Sequence, residues 1–381
     1  MNWPHKPNQR ISTALLSFAA LCLVLASLAA IAQPLPTRVE GFFSYFGGDL
    51  SQLKEMARRY DVVIWHHHPA VRQALPELRQ HNPHLKALMY RNLFCVLKQE
   101  TPLEESAGNF DWISTQHPDW FQHDLQGRRI EVPDYPGRWM MDLGNPEWQE
   151  FWIRETLRDV IQGGWDGVFA DDALTEVKAH SLPSLAGYPN DSELQKAVYG
   201  FLVKAHQEFT KANKLFIANV SGSYNYPGLW GKWLEATDGL MEEHFTGEGW
   251  TWGKEVPKRQ LEAMQLASRE GKWMFCMTYG PWEDRERMLN SLAAYLLGAG
   301  PKTFWSYRPD QPADDPAWDP SWEHRLGRPL EEAHSLGSLW QRRFENGVVA
   351  VNAGSSPHPW DWAGKRRMLA PHQGVVIENS L

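Results

Sequence analysis

From Arg38 onward, short apolar runs alternate with longer segments whose apolar residues recur at helical spacing. Eight runs read as strands: 38–46 (RVEGFFSYF), 61–67 (DVVIWHH), 85–91 (LKALMYR), 166–171 (DGVFAD), 214–220 (KLFIANV), 238–243 (DGLMEE), 272–279 (KWMFCMTY) and 302–308 (KTFWSYR). Several are nearly continuous in apolar and β-branched residues, the pattern of parallel strands covered on both faces. In 192–213, Leu194, Ala197, Val198, Phe201, Leu202, Ala205 and Phe209 form one apolar helical stripe. In 145–163, Asn145 can cap and Pro146 suits the first turn, while Gly163-Gly164 ends the helix before the next strand. Further helices are expected over 49–60, 70–81, 257–270 and 284–297. Eight such units predict an α/β fold, a (β/α)8 TIM barrel, over a doubly wound sheet. No glycine-rich phosphate loop follows the first strand, which weighs against a dinucleotide fold.

Two segments depart from the plain barrel. The link 92–165 is far longer than an ordinary loop, and its WFQHDLQGRRIEV reads as a hairpin turning at Gln126-Gly127 over the barrel mouth. After the eighth strand, 340–378 reads as short strands (NGVVAVNAG, GVVIE) that form a small C-terminal β appendage. At the other end, Lys6 and Arg10 precede an apolar run from Ala14 to Ala30, closed by Ala30-Ile31-Ala32. That order predicts a secretory signal cleaved before Gln33, the alternative being an uncleaved membrane anchor. Three parts are therefore expected: a signal peptide over 1–32, a barrel over 33–325 and a β domain over 326–381. The mature chain is then secreted or periplasmic and makes no membrane contact.

Composition narrows the chemistry. The net charge is −8, a poor match for nucleic acid, and no cofactor is called for. Twenty Trp and 11 Tyr supply flat apolar faces with polar handles, which suit sugar rings. Cys95 and Cys276 fall in distant segments and are expected as buried free thiols.

The fourth strand ends in Asp171-Asp172 and the sixth in Glu242-Glu243. In such barrels the carboxyl ends of the strands build the active site, and inward residues of alternate strands share a layer. One acid from each doublet can face the other, since adjacent strand residues point to opposite faces. Paired carboxyls about 5–10 Å apart are the apparatus of glycoside hydrolysis. Asp142 and the strand-end residues Tyr45, Trp65, Arg91, Asn219, Tyr279, Trp305 and Tyr307 are candidates for positioning a saccharide, beside Asp172 and Glu242. His66-His67-His68 is not read as a metal site, because consecutive strand residues diverge and no second ligand cluster accompanies them. The triplets Asn190-Asp191-Ser192 and Asn219-Val220-Ser221 match the glycosylation pattern by chance.

The segments WMMDLGNPEWQEFWIRETLRDVIQGGWDGVFADDA and TDGLMEEHF resemble those of TIM-barrel glycosyl hydrolase families known mainly from bacterial genomes, and more distantly those of dextranases and α-galactosidases. The stretches FENGVVAVNAG and LAPHQGVVI resemble the small β domain that often closes such enzymes. The resemblance implies that the fourth-strand pattern Asp-x-x-x-x-Asp, starting at Asp166, ends in the nucleophile, Asp171. It places the acid/base on Glu243, or on Glu242 if the register is shifted by one. The doubling of both acids leaves the choice within each pair open.

The expected protein is an exported glycoside hydrolase acting on a carbohydrate, retaining if the carboxyls are close. An inverting mechanism and a non-catalytic saccharide-binding barrel of a polysaccharide export or biofilm system are the rivals. A metal-dependent deacetylase lacks a ligand set at usable spacing.

Overall fold

The computed structural model describes residues 41–44, 50–98, 106–246, 256–308, 319 and 322–379. The expected leader and Tyr45 lie outside the described residues. Eight parallel strands form one sheet in chain order: β1 (Gly41–Ser44), β2 (Val62–His66), β3 (Lys86–Asn92), β6 (Gly167–Asp171), β7 (Leu215–Asn219), β8 (Gly239–Glu242), β9 (Trp273–Tyr279) and β10 (Thr303–Arg308). The sheet curls so that its edge strands β1 and β10 approach one another. Each strand falls within the run expected for it except β3, which extends one residue beyond, to Asn92, and helices follow where the apolar stripes placed them.

Local chemistry fixes these elements. The helix Pro146–Gln162 is capped by Asn145, whose Oδ1 accepts from Glu147 N at 2.9 Å and Trp148 N at 3.2 Å. Asn190 caps the helix Asp191–Lys211 by accepting from Glu193 N at 3.1 Å, so this glycosylation-like triplet serves helix initiation. Leu194, Val198, Phe201, Leu202, Ala205 and Phe209 of that helix are buried, as its stripe requires.

The dipeptide Asp-Gly opens both β6 and β8, and it is scaffold. Asp166 accepts from Ala87 N at 3.0 Å and pairs with Arg79 and Lys86. Burial opposes its charge, but these bonds prevail and hold its carboxyl below the usual range. Asp238 likewise accepts from Phe216 N at 2.9 Å. A Cβ on Gly167 would lie 2.2 Å from Leu215 O, and one on Gly239 2.4 Å from Trp273 O, so neither position admits a side chain. The first Asp of the Asp-x-x-x-x-Asp pattern thus ties the sheet together at one end while the last faces the mouth at the other.

The long link after β3 folds as a small antiparallel layer. β4 (Cys95–Leu97) pairs with β5 (Arg138–Met140), and His123 bridges Arg129 across the expected turn at Gln126-Gly127. Trp120, Phe121, Ile130 and Val132 are buried in the main core, so this segment is more than a roof laid over the mouth. The chain ends in six strands between His334 and Glu378, in a four-stranded and a two-stranded sheet. Phe344, Val349 and Val351 pack on Leu261, Ala293 and Leu297 of two helices that flank the curled sheet, which buries the seam between the two layers. Cys95 and Cys276 are both buried and form no disulfide.

Candidate active site

Strand periodicity sets the site. Phe169, Ile217 and Met241 pack together on the inner face of the curled sheet. Two residues on, Asp171, Asn219 and Glu243 face the same way. Because β7 pairs with β6 on one side and β8 on the other, Asn219 stands between the two acids. Its Nδ2 donates to Asp171 Oδ1 at 2.8 Å and to Glu243 Oε2 at 2.7 Å. Its Oδ1 accepts from Ser221 Oγ at 2.9 Å and Ser221 N at 3.2 Å, which settles the orientation of the amide. Ser221 Oγ also accepts from Glu243 N at 2.7 Å. The second glycosylation-like triplet is therefore part of the site.

Each acid has a phenol of its own. Tyr90 OH donates to Asp171 Oδ2 at 2.7 Å, and Tyr279 OH donates to Glu243 Oε1 at 2.7 Å. Burial, and then the charges of Asp172 and Glu243, push the Asp171 carboxyl well above its ordinary range, against the bonds from Tyr90 and Asn219. Burial and the Glu243 carboxylate likewise raise the Tyr279 phenol, so it stays a donor. A cavity of about 410 Å³ opens beside the pair, with Glu243, Asn219, Asp172, Glu176, His180 and Ser221 among its lining residues. Asp172 turns out of the strand with φ 58°. Its oxygens accept from Asn92 Nδ2 at 2.8 Å and meet His180 Nε2 at 2.9 Å.

Several expected sugar contacts lie elsewhere. Trp65, Trp305 and Tyr307 belong to the outer face and pack in the layer between sheet and helices, one residue out of phase with the inner positions. Arg91 also points outward and pairs with Asp159 at 2.8 Å. Glu242 is fully buried, its Oε1 accepting from His244 N at 3.2 Å, and burial pushes its carboxyl up to about 8. It is a structural neighbour of the site and lines no part of the cavity. Asp142 is bonded by Tyr188 OH and by Gly144 N, and so shapes the turn before its helix. His66, His67 and His68 diverge: His66 meets Tyr90 edge to face, His67 meets Met89 Sδ and His68 caps a helix. Tyr90, His180 and Ser221 were not singled out by sequence reasoning. Of these, only Ser221 lay within a noticed motif.

Residues 79–348 match the sequence profile of Hypothetical glycosyl hydrolase family 15, and the chain belongs to that family. Its fold and family are those of glycoside hydrolases. No curated protein matches it in sequence. The chain is similar to a GH31 dextranase from Flavobacterium johnsoniae complexed with glucose, at 14% identity and TM-score 0.56, covering 91% of this chain and 51% of that one. It spans about half the length of that dextranase. A noncanonic maltogenic α-amylase from Thermotoga neapolitana is similar at 11% identity and TM-score 0.51, covering 90% of this chain and 96% of that one. An α-amylase from Geobacillus thermoleovorans complexed with acarbose is similar at 10% identity and TM-score 0.50, covering 91% and 97%. At these identities the likeness is one of fold.

Proposed function

We propose that the protein is an exported glycoside hydrolase, its curled sheet closed as a (β/α)8 barrel over 33–325 with a β domain over 326–381, and that Asp171 and Glu243 cleave an O-glycosidic bond with retention. One observation carries the reading: a single nitrogen, Asn219 Nδ2, donates to both acids. Their nearer oxygens can be no farther apart than the two bonds laid end to end, about 5.5 Å, which matches the ~5–5.5 Å of retaining enzymes. The wider gap of inverting enzymes, which leaves room for a water, is the less favoured reading at this spacing.

In this mechanism the Asp171 carboxylate attacks the anomeric carbon as the glycosidic C–O bond breaks, and Glu243 gives its proton to the leaving oxygen. Glu243 then takes a proton from water, whose oxygen displaces Asp171 and releases the sugar. Both acids are held at both oxygens, and Glu243 is suited to the proton transfers because it, unlike Asp171, lines the open cavity. Close carboxyls share one proton near neutral pH. The same pair with exchanged roles is favoured by one observation, the raised Asp171 carboxyl.

A screen of the purified mature protein on a polysaccharide panel, reading new reducing ends, tests the class. Turnover lost in Asp171→Asn and Glu243→Gln supports it. Glycan binding by the wild type with no turnover on any substrate supports a binding barrel instead.

A further inference from the structure

Asp172, His180 and Ser181 have φ of 58°, 51° and 57°, three left-handed non-glycine residues within ten positions. Such conformations cost on the order of 1–3 kcal/mol each and persist where surrounding structure over-determines them. Here they bring a polar dyad onto the cavity wall, where both Asp172 and His180 are lining residues. The dyad is anchored from the end of β3. Asn92 Oδ1 accepts from Phe94 N and Cys95 N at 3.0 Å, and its Nδ2 holds one oxygen of Asp172. The other oxygen meets His180 Nε2. Phe94 stacks on the imidazole at 5.4 Å and 21°, and Tyr135 approaches it at 5.3 Å and 68°.

The ring is thus fixed in place, and its second nitrogen, Nδ1, bonds to no described residue. With Nε2–H directed at the Asp172 carboxylate, Nδ1 offers a lone pair in the neutral ring and an N–H in the charged one. Burial works against the charged ring, but Asp172 outweighs it and holds His180 above its ordinary pKa. A sugar hydroxyl can donate to Nδ1 or accept from it, so either form binds one. Glu243, Asp172 and Glu176 line the same cavity, and no Lys or Arg among the described residues does. A uronate or sulfated sugar would meet these carboxylates without a compensating cation beyond His180.

We propose that His180, aimed by Asp172, is a specificity-determining residue of this cleft, its Nδ1 hydrogen-bonding one hydroxyl of a glycan that carries no carboxylate or sulfate. The proposal rests on the glycoside hydrolase reading of the same cavity and adds which sugars it admits.

The test compares the mature wild type with His180→Phe, which keeps a ring against Phe94, and with His180→Gln as a second variant. Both are checked by thermal melting. An array of neutral, uronate-bearing and sulfated oligosaccharides identifies the preferred glycan, whose monodeoxy analogues are then titrated. A neutral preference is expected, with binding weakened about 10- to 100-fold in His180→Phe, as for a lost hydrogen bond to a charged or polarised group. One deoxy analogue should bind wild type and His180→Phe equally, because that pair of changes removes the same bond. Preference for uronates or sulfates overturns the proposal, as does parallel weakening of every analogue. If binding shows the His180-dependent pattern while nothing is cleaved, the specificity role stands and the hydrolase reading falls. If the wild type binds no glycan on the array, both fall.

Discussion

Asp171 and Glu243 are joined through one side chain: Asn219 Nδ2 lies 2.8 Å from an oxygen of the first and 2.7 Å from an oxygen of the second. The bridge sets their separation, and Ser221 fixes the bridge.

Asn219→Ala removes that spacer while leaving both acids on their strands. We predict a fall in kcat of about 100-fold, the scale of a 1 Å misplacement of reacting groups. Steady-state kinetics with a thermal melt checks this. Unchanged kcat in a folded variant shows that the amide does not set the geometry.

The two acids of the Asp-x-x-x-x-Asp pattern separate into scaffold and chemistry. Asp166→Ala loses the bonds to Ala87 N, Arg79 and Lys86, and we predict a stability loss of about 2 kcal/mol with near-normal kcat at low temperature. Asp171→Ala should do the reverse, leaving denaturation little changed and activity absent. Equal effects on both quantities in both variants contradict this division.

Glu242 makes stability depend on pH. Its folded carboxyl is pushed by burial up to about 8 from its ordinary 4.5, so between those values the folded state holds a proton that the unfolded state releases. Its contribution is fully present below about pH 4.5 and is lost as pH rises through about 8. Glu242→Gln should flatten that decline and melt higher than wild type at pH 8.5, with activity retained. A melting profile parallel to wild type across this range contradicts the assignment.

Much of this architecture was legible because it follows from periodicity. Strand runs, the Asn145 cap and the stripe from Leu194 to Phe209 reappear as expected. Which face each strand residue takes was not legible. In KALMYRN and TFWSYR almost every position is buried, so alternation leaves no trace, and Arg91, Trp305 and Tyr307 were assigned to the mouth while Tyr90 was passed over. The doubled acids carried the same ambiguity. It is removed by strand β7, whose Asn219 must lie between Asp171 and Glu243 once strand order is known. His180 had no signal, because its position depends on left-handed backbone in a loop.

The leader is testable without reference to the site. Lys6, Arg10, the apolar run and Ala30-Ile31-Ala32 occur in the order of a cleaved secretory signal. Mass spectrometry of protein recovered outside the cytoplasm should find Gln33 as the first residue. An intact Met1 there indicates an anchor.

Azide rescue tests the catalytic pair most directly. Asp171→Ala and Glu243→Ala should each lose on the order of a thousandfold or more in kcat while remaining folded, since interactions made in the transition state are removed. Added azide should restore turnover in both, and proton NMR of the glycosyl azide should show inverted configuration from Asp171→Ala and retained configuration from Glu243→Ala. Inverted product from Glu243→Ala and retained product from Asp171→Ala show that the roles are exchanged. Near-wild-type turnover in either variant without azide contradicts the pair itself.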